Sequence, residues 1–262
     1  MATPESESFV RAFARGLTVI EVMGQSSGQQ TIAQIAQASE LPRTVVRRLL
    51  FTLAELGFVK TDGRGYGLTP KVLRLGLTYL YTLPFWRQSQ LVLEELGTRI
   101  GQSCAIAVLD GAEIVYVQRF HTKRILAMSP STGTRLPAHV VSMGRVLMAG
   151  LEDQDLDSML GDGPLRRYTP RTITEVSRLR REVLAARKRG YCWVDGELDE
   201  SICGLAVPVR DAQGAVVAAV NVSLISGEFD QPQAVANFLP LLRLAASRLR
   251  AGPALPGGGL GP

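Results

Sequence analysis

The stretch from Pro42 to Leu68 constrains this chain more than any other. Placed at about 100° per residue, Val46, Leu49, Leu50, Leu53 and Leu56 gather on one side of a helix. Arg43, Thr44, Arg47 and Arg48 gather on the other side, all in its first two turns. Pro42 suits the first turn, where its missing N–H would have no partner anyway. Gly57 ends the helix. Phe58-Val-Lys-Thr-Asp-Gly-Arg-Gly-Tyr-Gly-Leu68 follows, and Asp62-Gly63 between two short extended runs predicts a hairpin with Lys60 and Arg64 near its tip. Phe51 also falls on the outer side of the helix and is expected to pack beneath that hairpin.

The residues upstream complete a plan. Phe13, Leu17 and Ile20 keep helical spacing over 9–24, with Ser8 available as a cap. Gly24-Gln-Ser-Ser-Gly28 is a turn, and Ile32, Ile35 and Ala36 share one face of a short helix over 31–39. A short helix, a tight turn and a helix with a basic N-terminal half form a helix-turn-helix. A helix of this kind fits the major groove of duplex DNA, with the basic-tipped hairpin as its wing. Charge agrees: between Leu41 and Arg74, Arg43, Arg47, Arg48, Lys60, Arg64, Lys71 and Arg74 face only Glu55 and Asp62, so this segment carries as much net charge as the whole chain, +5. Arg43, Thr44, Arg47, Arg48, Lys60 and Arg64 are the expected DNA contacts.

Helical spacing resumes over 70–83 with Val72, Leu73, Leu75, Leu77, Leu80 and Leu83, too apolar for a solvated linker. A linker helix packed against its twin in a dimer explains it, and Pro84 marks a domain boundary. Beyond it the periods predict a helix over 85–101, strands over 103–109 and 113–119, a third strand at Ile125–Ser129, and helices over 141–150 and 153–160. A helix capped by Thr174 runs to Arg189. Strands over 191–195, 203–210 and 215–225 and a helix over 232–250 complete the chain. The whole is an α+β two-domain protein: a winged helix-turn-helix over 9–69, a linker helix over 70–84, and an antiparallel sheet flanked by helices over 85–250. A Gly- and Pro-rich tail, 251–262, is expected to be disordered.

Composition excludes several classes. The longest apolar run, Ala215–Ile225, is too short to cross a bilayer, and the N-terminus lacks the pattern of a secretory signal, so the expected location is the cytoplasm. His121 and His139 are too few and too far apart to suggest zinc; no metal and no cofactor are expected. No Gly-x-Ser-x-Gly elbow, phosphate loop or paired-His motif supports an enzyme. Cys104, Cys192 and Cys203 are expected as buried thiols. The alternative, a redox-sensing regulator acting through one of them, needs an exposed thiolate of low pKa.

Several stretches together resemble the IclR family of transcriptional regulators: Phe9-Val-Arg-Ala-Phe-Ala-Arg-Gly-Leu, Leu41-Pro-Arg-Thr-Val-Val-Arg-Arg, Leu68-Thr-Pro-Lys-Val-Leu-Arg-Leu-Gly, Val108-Leu-Asp-Gly-Ala-Glu-Ile-Val-Tyr-Val, Gly133-Thr-Arg-Leu-Pro-Ala, Ser142-Met-Gly-Arg-Val-Leu-Met-Ala and Leu205-Ala-Val-Pro-Val-Arg-Asp. The resemblance is nearest to the subgroup controlling 4-hydroxybenzoate, protocatechuate and β-ketoadipate catabolism. It implies a GAF-like effector domain, a homodimer or dimer of dimers, a semi-palindromic operator and a small carboxylic acid as effector, with no membrane partner. By motif position it implies a cavity lined by Leu136 and Ala138 from a loop, Ser142 and Met143 at a helix start, Asp195, Cys203 and Gly204, and Asn221 and Ser223 from the last strand. Asn221 and Ser223 are two apart and so share a strand face, and a polar pair on a strand of Val and Ala needs partners. The start of the Ser142 helix offers N–H groups to a carboxylate. One departure stands out. Where the family often reads Gly-Leu-Arg-Ser-Ile-Ala, this chain reads Ser201-Ile-Cys-Gly-Leu-Ala206. A cation and a hydroxyl are lost and a small gap opens. Arg124, Arg135 or Arg145 is left to supply the positive charge.

Overall fold

The computed structural model describes residues 8–26, 28–121 and 131–249. The chain divides into two compact units, one up to Leu80 and one from Tyr81. The first holds α1 (Arg11–Gly24), α2 (Ile32–Ser39), α3 (Arg43–Glu55) and a hairpin of β1 (Val59–Thr61) and β2 (Tyr66–Leu68). Val19, Met23, Ile35, Val46, Leu50, Leu53 and Val59 form its core. Local chemistry sets the helix ends. Thr31 and Gln34 close a capping box at the start of α2. Lys71 Nζ donates to Leu56 O at 2.7 Å, satisfying a carbonyl at the end of α3 while sitting over the Phe58 ring. The hairpin loop spans Asp62–Gly65 and is longer than a two-residue Asp-Gly turn. The Asp62 carboxylate accepts from Arg64 N and Gly65 N at 2.9 and 3.1 Å, which pulls its pKa below the usual range. Gln30 adds a bridge that the sequence did not announce: its N–H and C=O pair with Tyr66, fixing the base of the hairpin.

Several end assignments differ from expectation. Val10, not Ser8, precedes α1, without a side-chain cap. Pro42 is the residue just before α3 rather than its first turn. Phe51 is 68% exposed and does not pack beneath the hairpin. The linker begins with a 3-10 turn, Pro70–Val72, before α4 (Leu73–Thr82).

The second unit contains α5 (Trp86–Ile100), β3 (Ser103–Asp110), β4 (Glu113–Phe120), β5 (Arg135–Pro137), α6 (Ser142–Met148), α7 (Asp153–Leu160), α8 (Val176–Arg189), β6 (Cys192–Asp195), β7 (Ile202–Arg210), β8 (Val216–Ile225) and α9 (Gln231–Leu249). The six strands form one antiparallel sheet in the order β5-β4-β3-β8-β7-β6. Helices α5 and α9 pack on one face and α6 on the other, backed by α8. β5 lies in a segment read from sequence as loop. The strand expected at Ile125–Ser129 and the tail 251–262 lie outside the described residues. α8 starts at Val176 behind Glu175, so Thr174 is not its cap.

α6 sits tight against the 3-10 turn Ala138–Val140 because Gly144 has no side chain: a Cβ there would lie 2.1 Å from Ala138 O. Gly144→Ala must push α6 off that backbone. The expected cost is about 2–3 kcal/mol of overpacking strain, read as a lowered midpoint in urea unfolding followed by circular dichroism. An unchanged midpoint would mean that α6 is not held where the structure places it.

Candidate functional site

Strand register assembles a cavity on the α6 face of the sheet. Directly paired residues share a face. Ala105 on β3 pairs with Asn221 on β8, Asn221 with Ala206 on β7, and Ala206 with Cys192 on β6. One rung along, Ser103 pairs with Ser223, Ser223 with Gly204, and Gly204 with Val194. The missing side chain at Gly204 leaves room above the sheet. α6 and the residues before it roof that space with Val140, Val141, Ser142 and Met143, while Leu136, Leu198 and Ile202 close its sides. The cavity encloses about 590 Å³ of empty space, counting its open mouth.

A β-bulge on β4 brings a cation into the cavity. Ala107 pairs with Tyr116 but Ile106 pairs with Gln118, so Val117 is an extra residue and the alternation of β4 flips there. Ala105 therefore faces Arg119, and Tyr116 and Arg119, three apart, point into the same cavity. Phe120 turns the other way, its ring against Gly97 of α5, where a Cβ would lie 1.9 Å from Phe120 Cδ1. The Arg119 guanidinium lies 4.9 Å from the centroid of the Tyr116 ring. Among the described residues its Nε and Nη1 are buried with no hydrogen-bond partner, and so is the Oδ1 of Asn221, whose Nδ2 donates to Ser223 Oγ at 3.2 Å. Burial lowers the Arg119 pKa, partly offset by Tyr116, and raises that of Tyr116. Arginine starts so high that Arg119 stays charged.

Of the expected residues, Leu136, Ser142, Met143, Cys203, Gly204, Asn221 and Ser223 line this cavity. Ala138 and Asp195 do not. Ala138 is buried in the hydrophobic core. The Asp195 carboxylate is held elsewhere, accepting from Arg171 Nη1 at 3.0 Å and Ser226 Oγ at 2.7 Å. Among the described residues the cation that lines the cavity is Arg119, which sequence reading missed. Arg135 is exposed and paired with Asp110 and Glu113. Arg145 is spent on a buried pair with Glu197, Nη2 to Oε2 at 2.5 Å. Arg124 lies outside the described residues. Period-two counting puts Arg119 on the face opposite Tyr116, and only the bulge reverses that. Gly204 supplies the expected gap: a Cβ there would lie 3.0 Å from Ser142 Oγ.

Glu197, on the loop between β6 and β7, lines the cavity and anchors its rim. Besides Arg145 it accepts from Ile173 N at 3.0 Å, and its backbone O accepts from Thr172 Oγ1 at 2.7 Å. Arg145 Nε donates to His139 O at 2.9 Å. The pair thus ties α6, the 3-10 turn and the 169–173 segment around one side of the cavity.

The three thiols are buried, and burial pushes Cys104 and Cys203 up to about 12 and Cys192 up to about 11. Such thiols carry almost no thiolate at neutral pH, the form that reacts with oxidants. Nothing supports the redox alternative.

In the first unit, α3 presents Arg43, Thr44, Arg47 and Arg48 to solvent, and the hairpin presents Lys60 and Arg64. All six expected DNA contacts are exposed. None of the ion pairs among the described residues uses one of them. Among the described residues no cluster could hold a metal ion and no helix is long and apolar enough to cross a membrane.

Comparison with known proteins matches residues 12–63 to the IclR helix-turn-helix domain and residues 77–251 to the bacterial transcriptional regulator IclR C-terminal domain. The Pca regulon regulatory protein of Pseudomonas putida is 40% identical over 92% of this chain and 82% of its own. A chain from Rhodococcus sp. RHA1 assigned as a transcriptional regulator has a crystal structure that matches with TM-score 0.81 and 40% identity, over 92% of this chain and 97% of that one. An IclR homolog from Microbacterium hydrocarbonoxydans, solved in complex with 4-hydroxybenzoate, matches with TM-score 0.79 and 25% identity, over 91% and 97%.

Proposed function

Because this chain belongs to the IclR family of bacterial transcriptional regulators, we propose that it couples operator binding by α3 and the β1–β2 hairpin to a hydroxyaromatic carboxylate held in the α6 cavity. It is a DNA-binding regulator and not an enzyme. The observation that carries the ligand reading is that Arg119 Nε and Nη1 share a cavity with Asn221 Oδ1, and that none of the three has a hydrogen-bond partner among the described residues. Buried N–H groups without a hydrogen-bond partner are costly, and so is a buried carbonyl. A ligand that brings one carboxylate to Arg119 and one hydroxyl donor to Asn221 Oδ1 satisfies both. The Cα atoms of Arg119 and Asn221 are two strands apart, about 10 Å across the sheet, a gap suited to an aromatic ring between the two groups. The neutralised Glu197–Arg145 pair leaves no second free cation among the described residues lining the cavity, which disfavours a dicarboxylate. The names of the relatives agree: one regulates the Pca regulon and one holds 4-hydroxybenzoate.

The working form in this proposal is a homodimer or dimer of dimers in the cytoplasm. α4 has no buried residue and exposes Leu73, Leu75, Leu77 and Tyr79, an apolar helix that a twin would cover. Two protomers then present two α3 helices to the halves of a semi-palindromic operator.

The test is calorimetric titration with 4-hydroxybenzoate, protocatechuate and β-ketoadipate in turn. One of the two aromatic acids is expected to bind saturably at about one site per chain and to shift affinity for operator DNA. Binding of β-ketoadipate alone overturns the aromatic part of the proposal. Silence with all three overturns the ligand reading and leaves DNA binding standing.

A further inference from the structure

We infer that α1 adds a second set of DNA phosphate contacts beside α3, with Arg15 as its central residue. This rests on the reading that α3 enters the DNA groove. Laid out at about 100° per residue, α1 has three distinct stripes. Val19 and Met23 are buried in the domain core, Val10, Phe13 and Leu17 are exposed on the far flank, and Arg11 and Arg15 lie on the flank that borders α3. A groove runs between the two helices, lined by Arg11 and Arg15 from one side and Arg47, Arg48, Phe51 and Thr52 from the other. It holds about 1310 Å³ of empty space counting its open side. Such width suits a polymer backbone better than a small enclosed anion.

Three features point to nucleic acid. Four arginines from two helices line one groove, and Arg47 and Arg48 are the same residues that α3 turns to solvent on its DNA face. Arg15, Arg47 and Arg48 are exposed, and none of the ion pairs among the described residues gives them a carboxylate. Phe51, which the fold leaves outside the core, lines the groove and offers an apolar surface to a thymine methyl or a sugar. A helix lying in the major groove leaves a phosphate strand on each side. The hairpin serves one and the α1 groove serves the other. Phosphate contacts of this type fix register and orientation without reading sequence.

The experiment measures binding of the full chain to a random-sequence duplex of about 40 base pairs as a function of salt. Arg15→Gln, Arg15→Lys and Arg47→Gln are compared with the unaltered protein. Removing one phosphate-binding cation lowers the slope of log K against log salt by about 0.9. Arg15→Gln is expected to lower it by that amount per bound protomer, as Arg47→Gln does, while Arg15→Lys keeps it. A slope unchanged in Arg15→Gln but reduced in Arg47→Gln overturns the inference and leaves the α3 reading intact. A changed mass in light scattering with an unchanged slope also overturns it and makes the α1 flank a contact between copies. Failure of the unaltered protein to bind the duplex overturns the α3 reading and this inference together.

Discussion

Arg119→Met is expected to weaken 4-hydroxybenzoate binding by about 100-fold while making the ligand-free protein more stable. The affinity loss corresponds to roughly 3 kcal/mol, the scale of a desolvated charge-assisted contact with a carboxylate. The gain in stability is the sharper expectation. Among the described residues, Arg119 Nε and Nη1 are buried without a hydrogen-bond partner, so the folded protein carries a half-buried guanidinium over the Tyr116 ring with two N–H groups that the unfolded chain would hydrate. Met fills similar volume without that penalty, and the thermal midpoint is expected to rise by about 2–4 °C. A residue kept for structure behaves in the opposite way, because its loss lowers stability. Calorimetric titration and a thermal melt of the same variant therefore separate the two roles. Undiminished binding in Arg119→Met would place the carboxylate elsewhere. A lowered midpoint with normal binding would make Arg119 a structural residue. Binding of duplex DNA by the ligand-free variant should not change, since α3 and the hairpin belong to the other unit.

Glu197→Ala is expected to cost about 3–5 kcal/mol of stability. The Arg145–Glu197 pair is almost fully buried, with side chains 3% and 9% exposed. Removing the carboxylate strands the Arg145 charge in the interior and frees Ile173 N as well. A domain of this size loses roughly 10 °C of thermal midpoint for such a deficit. The double variant Glu197→Ala with Arg145→Met should regain much of the loss, because an apolar pair needs no charge partner. A single variant that melts within a degree or so of the unaltered protein would show that water reaches the pair. A double variant no better than the single would show that Arg145 holds His139 O and α6 independently of Glu197.

The reach of sequence reading follows from how local each feature is. The three helices of the first unit, the hairpin and its basic face were legible because their signals sit within a few residues of each other. Gly57 with positive φ and the exposed Arg43, Thr44, Arg47 and Arg48 are where the pattern put them. Asn221 and Ser223 were found as well, since alternation along one uninterrupted strand tells which side chains share a face. Asp195 was misplaced because its partners are distant in the chain: motif position put it in the cavity, whereas Arg171 and Ser226 hold its carboxylate. β5 was hidden because three residues carry no period.

The sequence by itself determined the helix-turn-helix, the order of helices and strands, and the apolar α4. Each depends on residues close in the chain, whose spacing and capping chemistry act before any tertiary contact forms. Tertiary structure alone decided which groups line the cavity. The bulge at Val117 arises from how β4 must match β3 across the sheet, and it turns Arg119 inward. The Glu197–Arg145 pair joins residues 52 positions apart and removes the second cation. Both are matters of register and long-range pairing, in which a shift of one residue exchanges the buried and outward faces of a strand, and no local pattern carries that information.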